Sequence, residues 1–167
     1  MAVLSTPATA MVVIGFGRGW EASLARDREP RFACRHFTLP ARHPDELPAW
    51  IASADVALVT LPPLSYNQRY TTPNKFLEAM TAGTPIVLGP DLPTMAAMLE
   101  RDDLGQVSRS MEPADIAMAI QAILDAPADE RHARRVRIAE LAHRRYSWPV
   151  AAAPYARLVA VLVAAPN

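Results

Sequence analysis

The chain is poor in several things that would each have signalled a class of protein. It has one cysteine, Cys34, so no internal disulfide forms, and its composition fits a reducing, cytoplasmic setting. It has no net charge: 17 basic residues balance 17 acidic ones, and no global field draws nucleic acid to it. It has no long hydrophobic run, because the apolar stretch Leu158 to Ala165 falls well short of the ~20 residues of a spanning helix. No basic segment precedes Ala10 to Gly15, which therefore reads as a strand and not as a signal peptide. Lysine is almost absent too: 16 of the 17 basic residues are arginine, and Lys75 is the sole lysine.

What is present is an alternation of short apolar runs and helical patterns. A length of 167 residues suits one domain. Strands are expected at Met11 to Ile14, Arg31 to Leu39, Val56 to Val59, Pro85 to Leu88 and Gly105 to Ser108. Helices are expected at Trp20 to Arg28 (with Trp20, Leu24 and Ala25 inward), Asp45 to Ser53, Thr94 to Glu100, Pro113 to Asp125, 128 to 145, and Ala151 to Val163. The stretch from Leu61 to Thr72 reads as loop. This order predicts an α/β fold, a single Rossmann-like domain with a doubly wound parallel sheet flanked by helices. Residues 1–9 read as a leader, 10–148 as the domain, and 149–167 as a separate C-terminal helix.

Open parallel sheets bind ligands beyond the carboxyl ends of their strands. The turn Gly15-Phe16-Gly17-Arg18-Gly19-Trp20 lies at such an end. As a dinucleotide fingerprint it fails, because Trp20 stands where the third glycine belongs and no ribose-binding acid follows the second strand. Gly15 and Gly17 would still allow a phosphate or sugar close to the backbone. A plain strand-to-helix turn is the alternative.

The segment after the third strand is the more telling one. Thr72 is placed to cap a helix, Pro73 to occupy its first position, and Gly83 to end it in the left-handed conformation. Phe76, Leu77 and Met80 form the expected inward stripe. The free N–H groups of Asn74, Lys75 and Phe76 would make an anion site. A cation in a first turn opposes the helix dipole, by ~0.3–1 kcal/mol, and the sole lysine sits there. A bound phosphate would remove that misfit. Glu78 is three residues on, on the same face, where a carboxylate suits two adjacent ribose hydroxyls. The alternatives are a Lys75 that simply extends into water and a surface Lys75–Glu78 pair.

Ser65-Tyr66-Asn67, Arg69-Tyr70, Pro73-Asn74-Lys75-Phe76-Leu77-Glu78-Ala79-Met80 and Ala82-Gly83-Thr84-Pro85-Ile86-Val87 together resemble the donor-site segment of retaining glycosyltransferases of group 1, which have the two-Rossmann GT-B fold. Weaker similarity in the same order extends over about residues 12 to 163. The resemblance implies the C-terminal donor domain of such an enzyme, with a nucleoside-diphosphate sugar as donor substrate and no cofactor. Glu78 would meet the ribose, and the turn at Gly15 and Gly17 and the loop with Tyr66 and Asn67 would lie beside the sugar and diphosphate; the phosphate site at Asn74 and Lys75 comes from the helix start alone. It also implies that no metal is needed, in keeping with four histidines (His36, His43, His132 and His143) that show no metal-ligand spacing.

Many relatives carry a second glutamate on the sugar side, eight residues before the one matching Glu78, and here that position is Tyr70. The acceptor domain of the family would be an N-terminal partner, with the helix 149–167 crossing to it. The basic helix Arg131 to Arg145 reads as a solvated face, with peripheral contact to an anionic membrane as its second reading. The competing classes are an NAD(P)-type dinucleotide-binding domain and a flavodoxin-like non-catalytic module. The displaced glycine weighs against the first. The absence of acids at strand carboxyl ends weighs against a phosphoacceptor receiver.

Overall fold

The computed structural model describes residues 9–164. Five short parallel strands alternate with helices: β1 (Met11–Gly15), α1 (Trp20–Asp27), β2 (His36–Pro40), α2 (Leu47–Ser53), β3 (Ala57–Val59), α3 (Tyr66–Tyr70), α4 (Asn74–Thr81), β4 (Ile86–Leu88), α5 (Pro93–Asp102), β5 (Gly105–Val107), α6 (Pro113–Leu124), α7 (Ala128–Tyr146) and α8 (Trp148–Ala164). The fold is Rossmann-like, as the alternation predicts. The proposed leader lies outside the described residues, apart from its last residue.

The strands divide into two sheets. β3, β4 and β5 form one in that order, and β1 pairs with β2 in the other; every pairing is parallel. β4 is central, and all three of its residues are fully buried. Side chains alternate across a strand, so Ile86 and Leu88 join one core with Phe76, Met80, Met95, Leu99 and Ile138, while Val87 joins the other with Ala119, Ile120 and Ile123. Helices α4, α5 and α7 thus cover one face and α6 the other. Both clusters of buried residues belong to the β3–β5 half.

The β1–β2 half is held differently. Its buried residues are Ser23, Phe32, His36 and Thr38, three of them polar. Asp27, at the end of α1, accepts hydrogen bonds from the Thr38 backbone N–H at 2.9 Å and the Thr38 hydroxyl at 3.0 Å, and pairs with Nδ1 of His36 at 2.6 Å. Ser23 Oγ lies 2.8 Å from Thr38 Oγ1. The hydrogen bond to His36, and then those to Thr38, hold the Asp27 carboxyl below its ordinary range.

Several sequence expectations need correction. The second strand starts at His36, not Arg31: residues Pro30–Phe32 make a 3-10 turn, and Cys34 turns the chain with φ 58°. In α1 the inward residue is Ser23, and Ala25 is exposed. The loop from Leu61 to Thr72 contains α3. Helix α8 has no buried residue. A helical stretch, Ala128–Ala164, also contains an 18-residue window of mean hydropathy 1.4, long and apolar enough by composition to cross a membrane. The uninterrupted apolar run understates that stretch, because Ala151, Ala152 and Ala153 extend it beyond Pro154 and Arg157.

Candidate functional site

As the crossover between β3 and β4, helix α4 runs opposite to the strands, so its first turn lies at their carboxyl edge. Pro73 is the residue before the first helical one, not the first itself, and no side chain caps the helix; Thr72 does not. The Phe76 N–H donates to the Pro73 carbonyl at 2.9 Å. Among the described residues two amides, those of Asn74 and Lys75, therefore remain free at the helix start, instead of three.

Phe76, Ala79 and Met80 are wholly buried. Ala79 takes the inward place expected of Leu77, which is only partly buried. The opposite face carries exposed Asn74, Lys75 and Glu78. Among the described residues Lys75 and Glu78 form no ion pair with each other or with any neighbour. The surface pair does not form among the described residues; Lys75 extends exposed from the first turn, against the helix dipole and in contact with solvent.

Asn74 and Glu78 line one cavity of about 230 Å³, together with Pro48, Leu77 and Thr81. Its wall is mostly apolar, with a carboxylate and an amide at hand, the kind of setting in which a ring and its hydroxyls are held. Pro48, Leu77 and Thr81 escaped sequence reasoning. Thr81 lies three residues beyond Glu78 on the same face, a helical spacing that would have found it, whereas Pro48 comes from α2 and no local signal marks it.

The remaining candidates, Gly15, Gly17, Tyr66 and Asn67, do not line the cavity. Gly15 and Gly17 have φ of 156° and 103°, and a Cβ on either would meet no heavy atom within 4 Å. The turn is open and gives a ligand room against the backbone. Tyr66 and Asn67 are exposed on α3, whose N-terminal Ser65 accepts from the Gln68 N–H at 3.2 Å. Tyr66 stacks on Tyr70, with ring centroids 6.1 Å apart and planes 14° from parallel.

A second cavity, also about 230 Å³, lies at the opposite, amino edge of β3 and β4, lined in part by Asp55, Pro85, Arg131 and Arg135. Its arginines have structural work. Arg131 donates to the Leu124 carbonyl at 2.5 Å, and Arg135 to the carbonyls of Ala54 (2.6 Å) and Ala52. They tie the ends of α6 and α2 to α7, so the basic helix is more than a solvated face. Although His36 and His43 each pair with an aspartate, no group of three potential metal ligands occurs among the described residues.

Comparison with known proteins gives these features a context. No curated protein sequence matches the chain. Among solved structures, WaaG, a glycosyltransferase involved in lipopolysaccharide biosynthesis, superposes with a TM-score of 0.62 at 17% identity, over 85% of this chain and 37% of that one. The chain thus spans little more than a third of that protein, and the likeness is one of fold. The family model for glycosyl transferases group 1 matches residues 2–126, which include every strand and the whole of α4. The chain belongs to the glycosyl transferases group 1 family.

Proposed function

We propose that this chain is the donor-binding half of a glycosyltransferase, and that α4 with its cavity holds a uridine or guanosine diphosphate sugar. The observation that carries this is the uncompensated first turn of α4. The charge of Lys75 and two free amides meet no anion among the described residues, and Glu78 stands one turn below in an apolar-walled cavity. A diphosphate would accept from the Asn74 and Lys75 N–H groups and pair with the Lys75 ammonium. Ribose hydroxyls would donate to Glu78, and the base would lie against Leu77 and Pro48. Gly15, Gly17, Tyr66 and Asn67 would border the sugar.

In this reading the amides and Lys75 stabilise the leaving diphosphate, so no metal is called for, and the protein works in the cytoplasm. Transfer itself needs an acceptor domain. Residues 10–148 form the donor unit, and α8, with Leu158, Val159, Val161, Leu162 and Val163 all more than half exposed, is the element that crosses to that domain. The arginine-rich α7 beside it offers contact with an anionic membrane. Calorimetry with UDP, GDP, ADP and NAD tests the proposal: UDP or GDP should bind, weakly, and in preference to the other two. Tight NAD binding without nucleoside diphosphate binding refutes it.

A further inference from the structure

We infer that the paired tyrosines of α3, Tyr66 and Tyr70, are a platform for a saccharide ring, that of the acceptor, with Asn67 and Arg69 holding its hydroxyls at either side. The geometry of the pair is the first ground. The two rings lie 14° from parallel with centroids 6.1 Å apart, an offset stack. Yet Tyr66 is 85% exposed and Tyr70 54%, so the stack leaves aromatic faces bare, with Leu64 exposed two residues before. The helix that carries them is fixed. The Ser65 hydroxyl accepts from the Gln68 N–H at 3.2 Å, the Ser65 carbonyl accepts from the Arg69 N–H at 3.0 Å, and α3 packs against α5.

The rest of α3 is arranged around that face. At 3.6 residues per turn, Tyr66 and Tyr70 stand about 40° apart on the helix, and Asn67 and Arg69 flank the pair at about 80° to either side. Gln68 points about 180° away, and it alone of the five residues is half-buried. Among the described residues the side chains of Asn67 and Arg69 make neither a hydrogen bond nor an ion pair. An aromatic surface with a free amide on one side and a free guanidinium on the other suits a sugar ring. A pyranose presents C–H groups, slightly positive, on its faces and hydroxyls around its rim. The first meet the negative face of an aromatic ring. The second pair with the donors of Arg69 and with both ends of the Asn67 amide.

Size argues against a protein as the occupant. Two aromatic side chains cover about 300–500 Å² at most, against about 800 Å² per partner in a stable protein interface. Position separates the ring from the nucleotide. The tyrosines do not line the α4 cavity, but they lie in the same β3–β4 connection, with Tyr70 four residues before Asn74, at most about 15 Å along the chain. An acceptor must lie against the sugar it receives, and Tyr66 and Asn67 border that sugar in the reading above. The next surface outward is the face of the tyrosine pair. Its openness suits a ring that arrives from solvent and leaves as part of the product. The platform stands on the geometry of α3; its assignment to the acceptor rests on the donor-site reading.

NMR of the tyrosine ring signals in the whole chain tests the inference, with the methyl glycosides of glucose, galactose, mannose and N-acetylglucosamine as probes. At least one should shift the Tyr66 and Tyr70 signals, and should do so equally when UDP is present at saturation. Tyr70→Ala should weaken that glycoside by about fivefold or more with no change in melting temperature, because the ring it removes is exposed. Tyr70→Phe, which keeps the ring, should bind it as the natural protein does. No shift with any of the glycosides overturns the inference, and so does full affinity in Tyr70→Ala. Displacement of the glycoside by UDP also overturns it, by putting the ring in the donor cavity. Uridine that shifts the tyrosine signals as strongly as the glycosides would make the pair a seat for a base, with the same result. If UDP fails to bind, the donor-site reading falls, while glycoside-induced shifts lost in Tyr70→Ala still uphold the platform.

Discussion

Replacing Gly83 by alanine is the sharpest test of how α4 is held. Gly83 ends that helix with φ 67°, its N–H bonded to the Met80 carbonyl at 3.0 Å, while the Thr84 N–H reaches Ala79 at 2.9 Å. A Cβ there would stand 2.6 Å from the Arg135 carbonyl oxygen and 3.3 Å from the Ala139 Cβ. Two costs combine: the left-handed conformation, ~1–2 kcal/mol for a residue with a Cβ, and overpacking against the α7 backbone, ~1–3 kcal/mol. The expected loss is about 3 kcal/mol, or roughly 6–12 °C in Tm for a domain of this size. Urea unfolding at unchanged m-value measures it. Gly83→Asn separates the two costs, because asparagine tolerates the left-handed region but keeps the clash, and should recover about 1 kcal/mol. A loss under ~0.5 kcal/mol for Gly83→Ala would refute the argument that α4 and α7 meet backbone to backbone at this point.

Three other changes follow from the same geometry. Lys75→Ala should weaken UDP binding by about ten- to a hundredfold, the worth of a charge-assisted contact of ~1.5–3 kcal/mol, while Tm stays level or rises slightly because an unfavourable first-turn cation is gone. Titration calorimetry and a melting curve on one preparation check both. Glu78→Ala should weaken binding of UDP but leave inorganic pyrophosphate unaffected in a competition assay, because Glu78 is assigned to the ribose and not to the phosphates. Asp27 supplies the pH dependence. Its folded pKa lies below the ordinary carboxylate range, held there first by the hydrogen bond with His36. Its stabilisation is therefore present above the unfolded pKa and is lost as pH falls through the folded one. Urea midpoints measured downward from about pH 6 should fall more steeply for the natural protein than for Asp27→Asn in the range below about pH 4; parallel curves would show that Asp27 does not govern this window.

Local chemistry was legible in the sequence wherever one residue type has one physical use. Gly83 ends α4 as its lack of a side chain requires, and the β-branched runs at 12–14 and 86–87 are strands. Reading failed where a signal had a rival. Phe32, Cys34 and Phe37 give the segment the apolar content of a strand, but Pro30 starts a 3-10 turn and Cys34 takes a positive φ, so the strand begins later. Reading Leu61 to Thr72 as loop concealed α3, whose start Ser65 caps by accepting from the Gln68 N–H. Leu77 outranks Ala79 in hydrophobicity, yet Ala79 is the one at helical spacing from Phe76, and that spacing decides which is buried.

Strand pairing is of another kind, because it depends on contacts between segments far apart in the chain. Nothing within Met11 to Gly15 says which neighbour it takes. The division into two sheets therefore emerges only from the hydrogen bonds, and it changes what the apolar character of β1 means. A parallel strand apolar on every side predicts cover on both faces and neighbours on both edges. Here one edge is occupied by β2 and the other has none among the described residues. The apolar character that marks β1 as a central strand is therefore met on one edge alone among the described residues. On the outer edge of β2 the Asp27 carboxylate takes up the Thr38 N–H at 2.9 Å, so a side chain and not a strand closes that edge.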